Sequence, residues 1–375
     1  MTRAIYMDYN ATAPVRPEAA QAVADALAIG GNASSVHGVG RKARRCIEDA
    51  RESVAALVGA RPAWVVFTSG GTEANTLALY GSGRRRLLVS AVEHPSILNA
   101  APDAERIPVT ADGVVDLAAL ERMLAVSDVP ALVSIMAANN ETGALQPVSE
   151  AARLAHAGGA LIHCDAVQAA GKVALDMTVL DVDLMSLSAH KIGGPQGVGA
   201  LIVRDGVALA PLFRGGGQER SRRAGTENTP GIAGFGAAAR WAAQEGVAGM
   251  TGIAALRDRL EARLAALAPR VEVFSRRVAR LPNTSCFALP GLSAETQVMA
   301  LDLAGIAVSS GSACSSGKVG ASHVLKAMVV TDDLLGSALR VSLGWNNDAE
   351  DLTPLIEAWG ALAARAGTGR IAAAA

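Results

Sequence analysis

Cysteine is scarce in this chain, with four among 375 residues, and long hydrophobic runs are missing altogether. Cys46, Cys164, Cys286 and Cys314 are scattered, with no CxxC pair, so neither a zinc site nor a disulfide framework is expected. No stretch reaches the roughly 20 apolar residues of a membrane span. The N-terminus meets an aspartate by position 8 without an apolar run of signal-peptide length. Charge of one sign is lacking too: the formal net charge is −1. That balance removes the electrostatic case for nucleic acid or a membrane surface as partner. Local basic clusters remain, Arg84-Arg85-Arg86 and Arg220-Ser221-Arg222-Arg223, and the first reads as a solvated patch. These absences together predict a soluble protein of a reducing cytoplasm.

Apolar residues are plentiful, at 50%, and only 18% are charged, so large buried cores are affordable and disorder is not expected. A chain this long exceeds what one core usually fills, which predicts two domains. Residues 43–58 are apolar at helical spacing and stop at Gly59. Short unalternating apolar runs at residues 65–67, 87–91, 131–137, 160–164, 184–187 and 198–203 read as buried strands. Helical segments intervene, which predicts an α/β fold with a mainly parallel sheet covered on both faces. From about residue 249 the texture changes to a long helix (253–267), strands near 271–274, 284–288, 306–309 and 339–343, and helices near 294–303 and 349–364. That is the pattern of a smaller α+β domain.

Four segments carry candidate chemistry, each lying after a predicted strand. Lys191, in Ser188-Ala189-His190-Lys191, stands between a strand and a glycine-rich loop. A lysine that forms a Schiff base needs such a rigid mount and surroundings that keep it partly unprotonated. Asp165 lies 26 residues earlier, about one strand–helix–strand unit, so both side chains can emerge at the same carboxyl edge of the sheet. An aspartate there can keep a pyridinium nitrogen protonated, though a helix cap is the plainer reading. Gln168, three residues on, can reach a ring hydroxyl. Residues 68–75 (TSGGTEAN) place a glycine turn at a helix start, a candidate anion cradle. Glu93-His94-Pro95-Ser96 offers a histidine for stacking and proton transfer, with a capping role as the alternative.

These segments and others resemble the cysteine desulfurases of the NifS/IscS type, in the class V aminotransferase family. The matching blocks run in the family's order over nearly the whole chain. They are residues 9–14 (YNATAP), 32–38 (NASSVHG), 68–75, 93–96, 139–143 (NNETG), 165–168 (DAVQ), 188–194 (SAHKIGG), 216–228 (GGQERSRRAGTEN), 309–316 (SSGSACSS) and 339–344 (LRVSLG). The resemblance implies the pyridoxal 5'-phosphate (PLP) transferase fold of type I, with a mainly parallel seven-stranded sheet. It implies a large PLP-binding domain at 15–255 and a small domain from 1–14 and 256–375.

It also implies roles. Lys191 would hold PLP and Asp165 would face its ring nitrogen. Gln168 and Asn140 would bond the ring oxygen, and His94 would stack and move protons. Gly71, Thr72, Ser188 and His190 would hold the phosphate, joined by Thr226 from the second subunit of a homodimer. Arg340 would clamp the carboxylate of L-cysteine, a job its bidentate fork suits, with Asn32 assisting. Cys314, in a small-residue loop unsuited to a core, would accept sulfur as a persulfide and leave L-alanine. The sulfur would pass to an acceptor such as an iron–sulfur scaffold, for cluster assembly or another sulfur-containing product. No intrinsic metal is implied, with Cys314 at most a transient iron–sulfur ligand.

Two other readings stand beside this one: another class V PLP enzyme, such as a selenocysteine lyase or aminotransferase, and a non-catalytic binding member. The loop thiol argues against transamination, and the intact Lys191, Asp165 and His94 against the second. In one place the chain departs from the family. After Met328, where the family has glycine, stand Val329-Val330. Valine does not readily take positive φ, so an altered helix end is expected there.

Overall fold

A computed structural model describes residues 4–310 and 321–373, with side chains through residue 365. Its strands in chain order are β1 (Ile5–Tyr6), β2 (Val65–Thr68), β3 (Arg86–Ser90), β4 (Glu105–Ile107), β5 (Ala131–Met136), β6 (Leu161–Asp165), β7 (Leu184–Ser188), β8 (Gly199–Val203), β9 (Glu272–Val273), β10 (Thr284–Ala288), β11 (Ile306–Ala307), β12 (Ser309–Ser310) and β13 (Ala338–Ser342).

Seven strands form the principal sheet in the order β2-β8-β7-β6-β5-β3-β4. All neighbours run parallel except around β8, which is antiparallel to both β2 and β7. The mainly parallel seven-stranded sheet expected of the fold is therefore present. Every residue of β2, β5, β7 and β8 is buried, because helices cover both faces. Along β6 and β7, Ile162, Cys164, Met185 and Leu187 enter one apolar core, and Leu184 enters the other. The short edge strand β4 has no sequence signal, since only Ile107 of its three residues is buried.

A second sheet, antiparallel and four-stranded, has the order β12-β13-β10-β9. Its core joins Phe287, Leu339 and Val341 to Leu260 and Leu264 of the helix Val247–Leu267 and to Trp359 of the helix Leu352–Ala373. Phe287 and Trp359 meet edge to face, with centroids 5.6 Å apart, and the indole N–H donates to Gln297 at 2.8 Å. At the other end of the chain, β1 pairs in parallel with β11, so the N-terminus packs with the C-terminal third. The segment that follows, residues 8–12, then crosses to the edge of the large sheet, where Ala13 N–H bonds His190 O.

Val329 corrects the expectation for its region. The helix His323–Ala327 keeps a left-handed C-terminal turn although glycine is missing: Val329 has φ +59° and is 86% exposed. The amides of Val329 and Val330 still reach Lys326 O and Leu325 O. Helix closure is kept, and the β-branched side chain carries the conformational cost.

Candidate active site

The parallel strands aim their carboxyl ends at one edge, and the side chains just beyond those ends surround a cavity of about 200 Å³. Thr68 at the end of β2 leads to Gly71 and Thr72; Ser90 of β3 leads to His94; Met136 of β5 to Asn140. Asp165 closes β6 with Gln168 after it, and Ser188 closes β7 ahead of His190 and Lys191. All of these but Thr68 and Ser90 line the cavity, together with Asn75 and Ser96. The structure thus gathers nine of the expected groups: Lys191, His94, Asp165, Gln168, Asn140, Gly71, Thr72, Ser188 and His190.

Lys191 Nζ donates to the carbonyls of Asn10 and Ala11 and, among the described residues, has no carboxylate bonded to it. Burial, then the nearby Arg340, push its ammonium down to about 8, against the opposing pull of Asp8 and Asp165. About a tenth of the amine is then neutral at pH 7, far more than for an ordinary lysine. Asp165 is held at both oxygens: Asn75 Nδ2 donates to Oδ2 at 2.8 Å, and Val167 N–H to Oδ1 at 3.0 Å. Beside it on β6, His163 is fully buried between Ser134 and Ser186 hydroxyls, each 2.9 Å away. Burial holds its imidazolium down to about 4, so it stands neutral as structural support.

His94 caps the short helix Pro95–Leu98, and its Nδ1 accepts from Ser96 N–H at 3.1 Å. The sequence alternatives of cap and cavity group are therefore both realised. Desolvation lowers its pKa, and with Nδ1 accepting, the neutral ring carries its proton on Nε2. His190, with Nδ1 3.2 Å from Thr12 Oγ1, is likewise held neutral by burial and by Lys191, at about 4. It can therefore offer a neutral donor, not a cation.

The helix Gly71–Gly81 opens on the cavity with no side-chain cap, leaving its first N–H groups for a ligand. A Cβ at Gly71 would stand 3.1 Å from Val167 Cγ2 and 3.5 Å from Ser188 Cβ, so glycine keeps this cradle open. An uncapped helix start, a buried carboxylate, a partly neutral lysine and amide donors on one cavity suit a phosphorylated pyridine aldehyde. The residues present fit PLP.

Three expected groups lie outside the cavity lining. Asn32 is exposed and turns its Oδ1 to Ser34 N–H at 2.8 Å. Thr226 is exposed on the surface segment before the helix Thr229–Trp241. Arg340, on β13, is buried, with Nη2 2.7 Å from Asp8 Oδ1, Nη1 3.0 Å from Asn140 O, and Nε without a partner among the described residues. Cys314 lies outside the described residues. Sequence reasoning assigned no role to Asn75, Asn10 or Glu93. Asn75 was readable, four residues after Gly71 and hence on the same helix face. Asn10 was not, because its role depends on the chain crossing between the sheets. Glu93 is fully buried, accepts from Met136 N–H at 2.7 Å, and is pushed well above the carboxylate range by burial and by Asp165.

The aminotransferase class-V family model matches residues 5–355. The chain belongs to that family. A cysteine desulfurase of Cereibacter sphaeroides is 46% identical over 369 residues, 94% of each chain, and one of Rhodobacter capsulatus 45% identical over 368 residues, with the same coverage. Among solved structures, a NifS-like protein of Rickettsia africae superposes with a TM-score of 0.90 at 36% identity, covering 96% of this chain and 99% of the other. SspA in complex with cysteine gives 0.77 at 30% identity, covering 90% and 98%. The chain is accordingly a PLP-dependent enzyme of the cysteine desulfurase group. Among the described residues no cluster could hold a metal ion, and no helix is long and apolar enough to cross a membrane.

Proposed function

We propose that this chain removes sulfur from L-cysteine, passes it through Cys314 as a persulfide, and leaves L-alanine. The observation that carries this reading is the meeting of Lys191 and Asp165 at adjacent strand ends in one cavity whose third wall is an uncapped helix start.

Bound PLP supplies an electron sink conjugated to the substrate's α-carbon. Lys191, with its lowered pKa, would hold the aldehyde and carry protons at Nζ. Asp165, kept in place by Asn75 and Val167, would pair with the ring nitrogen. Gln168 and Asn140 would bond the ring oxygen, while the Nε2–H of His94 would serve proton transfer. Gly71, Thr72, Ser188 and His190 hold the phosphate with neutral donors, and Thr226 joins them from a second copy of the chain in a homodimer. Arg340 takes the substrate carboxylate, with its Nε in hand and Asp8 exchanged for the new anion, and Asn32 assists. The thiolate of Cys314 bonds to the substrate sulfur as the carbon–sulfur bond breaks, and the remaining carbon skeleton takes a proton to become alanine.

The site stands between a large unit of residues 15–255 and a small one of 1–14 with 256–375. We place the enzyme in the cytoplasm, handing sulfur to a protein acceptor such as an iron–sulfur scaffold. Replacing Cys314 by Ala is the test. The variant should keep the visible absorbance of bound PLP and lose sulfide release from cysteine; undiminished release would remove Cys314 from the mechanism. A protein that takes up no PLP would remove the whole reading.

A further inference from the structure

Lys172 has no part in the chemistry above, yet it is buried one helical turn beyond Gln168. Its Nζ meets two amide oxygens and, among the described residues, no carboxylate: Gln168 Oε1 at 2.9 Å and Asn10 Oδ1 at 3.0 Å. A buried lysine without an acid partner is unusual, because desolvation of its ammonium is uncompensated. Burial and the neighbouring Lys191 and Arg340 all push its pKa well down.

The geometry points to a positioning role: Lys172 fixes the direction of the Gln168 amide, so that Nε2 and not Oε1 is presented to the cofactor's ring oxygen. Protonated or neutral, the lysine nitrogen has N–H groups for both oxygens, and donating to them holds Oε1 of Gln168 toward Lys172. Nε2 then points the other way. One of its hydrogens goes to Asn10 O at 2.9 Å, and the second is left for a ligand in the cavity that Gln168 lines. A flipped amide would set Oε1 against Asn10 O, acceptor against acceptor, and would give up the hydrogen bond that Lys172 donates to Oε1. Lys172 also steadies Asn10, whose Oδ1 it shares with Asn283 Nδ2 at 3.1 Å and whose carbonyl receives Lys191 Nζ. One buried amine therefore orients the ring-oxygen donor and supports the carbonyl that holds the reactive lysine.

This inference rests on PLP occupying the cavity with its ring oxygen toward Gln168. Its test is the PLP dissociation constant and the pH midpoint of the visible absorbance in Lys172→Met, Lys172→Gln, Gln168→Ala and the double variant Lys172→Met/Gln168→Ala. Lys172→Met should weaken PLP binding about tenfold and move the absorbance midpoint, because an unpinned amide no longer stabilises the ionised ring oxygen. The double variant should be no worse than Gln168→Ala, and Lys172→Gln, which keeps a donor, should stay near the wild type. Equal and additive losses in the two backgrounds would overturn the inference, as would a Lys172→Met protein that is only less heat-stable while binding PLP normally. If Lys172→Met does not fold, a Lys172→Gln protein as impaired as Gln168→Ala overturns it, and one that matches the wild type in both readouts upholds it. Wild-type protein without PLP absorbance would overturn the cofactor reading itself, and this role with it.

Discussion

The candidate residues fall into two unlike groups, one around the cavity and one outside its lining. On the side of the seven-stranded sheet, charged and polar groups are each held by two neighbours: Asp165 by an amide and a main-chain N–H, His163 by two serines, Lys191 by two carbonyls. On the side of the four-stranded sheet, Arg340 is held by an ion pair that another carboxylate can replace, and its Nε has no partner among the described residues. The first side is a mount and the second a hand. A resident cofactor needs preorganised donors that cost no rearrangement, whereas a substrate that comes and goes needs a cation whose partner can be exchanged.

The sharpest way to break that comparison is Lys191→Ala. Turnover should fall by on the order of a thousandfold or more, with visible absorbance abolished. A variant that keeps both would show that the rigid side is not where the cofactor is held. His163 probes the rigidity itself. Its folded pKa of about 4 lies below the ordinary histidine value, so the folded state resists a proton that the unfolded chain accepts. Stability should therefore be complete above about pH 6.5 and fall as pH drops toward 4, by at most about 3 kcal/mol from this residue. Chemical denaturation across that range measures it, and His163→Gln should flatten the slope. On the side of the four-stranded sheet, Arg340→Lys removes the fork but keeps the charge. The KM for cysteine should rise roughly ten- to a hundredfold while PLP absorbance is unchanged; loss of absorbance would make Arg340 part of the mount. The smallest effect belongs to Val329→Gly, which relieves a β-branched residue at φ +59°. It should stabilise the protein by about 1 kcal/mol, less the entropy that glycine adds to the unfolded chain, as read from thermal melts.

The parallel sheet was legible because its central strands are buried on both faces and so appear as unbroken apolar runs, as in residues 131–136 and 198–203. Residues at strand ends were legible for a related reason: a polar residue directly after such a run must sit at the sheet edge, as Asp165 and Lys191 do. Strand β4 escaped because an edge strand needs only one buried residue. The left-handed turn at Val329 escaped because local propensity was outvoted by the closing hydrogen bonds of its helix.

Sequence alone determined the alternation of strands and helices and the edge on which the chemistry collects, since both follow from short-range pattern and burial; it offered the lysine and aspartate as candidates, and their roles came from the family resemblance. Tertiary structure decided the rest. It brings Asn10 from the N-terminal segment beneath Lys191 and Gln168, 158 positions away from the latter. It surrounds Lys172 with oxygens, and it pairs Arg340 with Asp8 across 332 positions. Such contacts depend on how two sheets are joined, and no local pattern encodes a partner that distant in the chain.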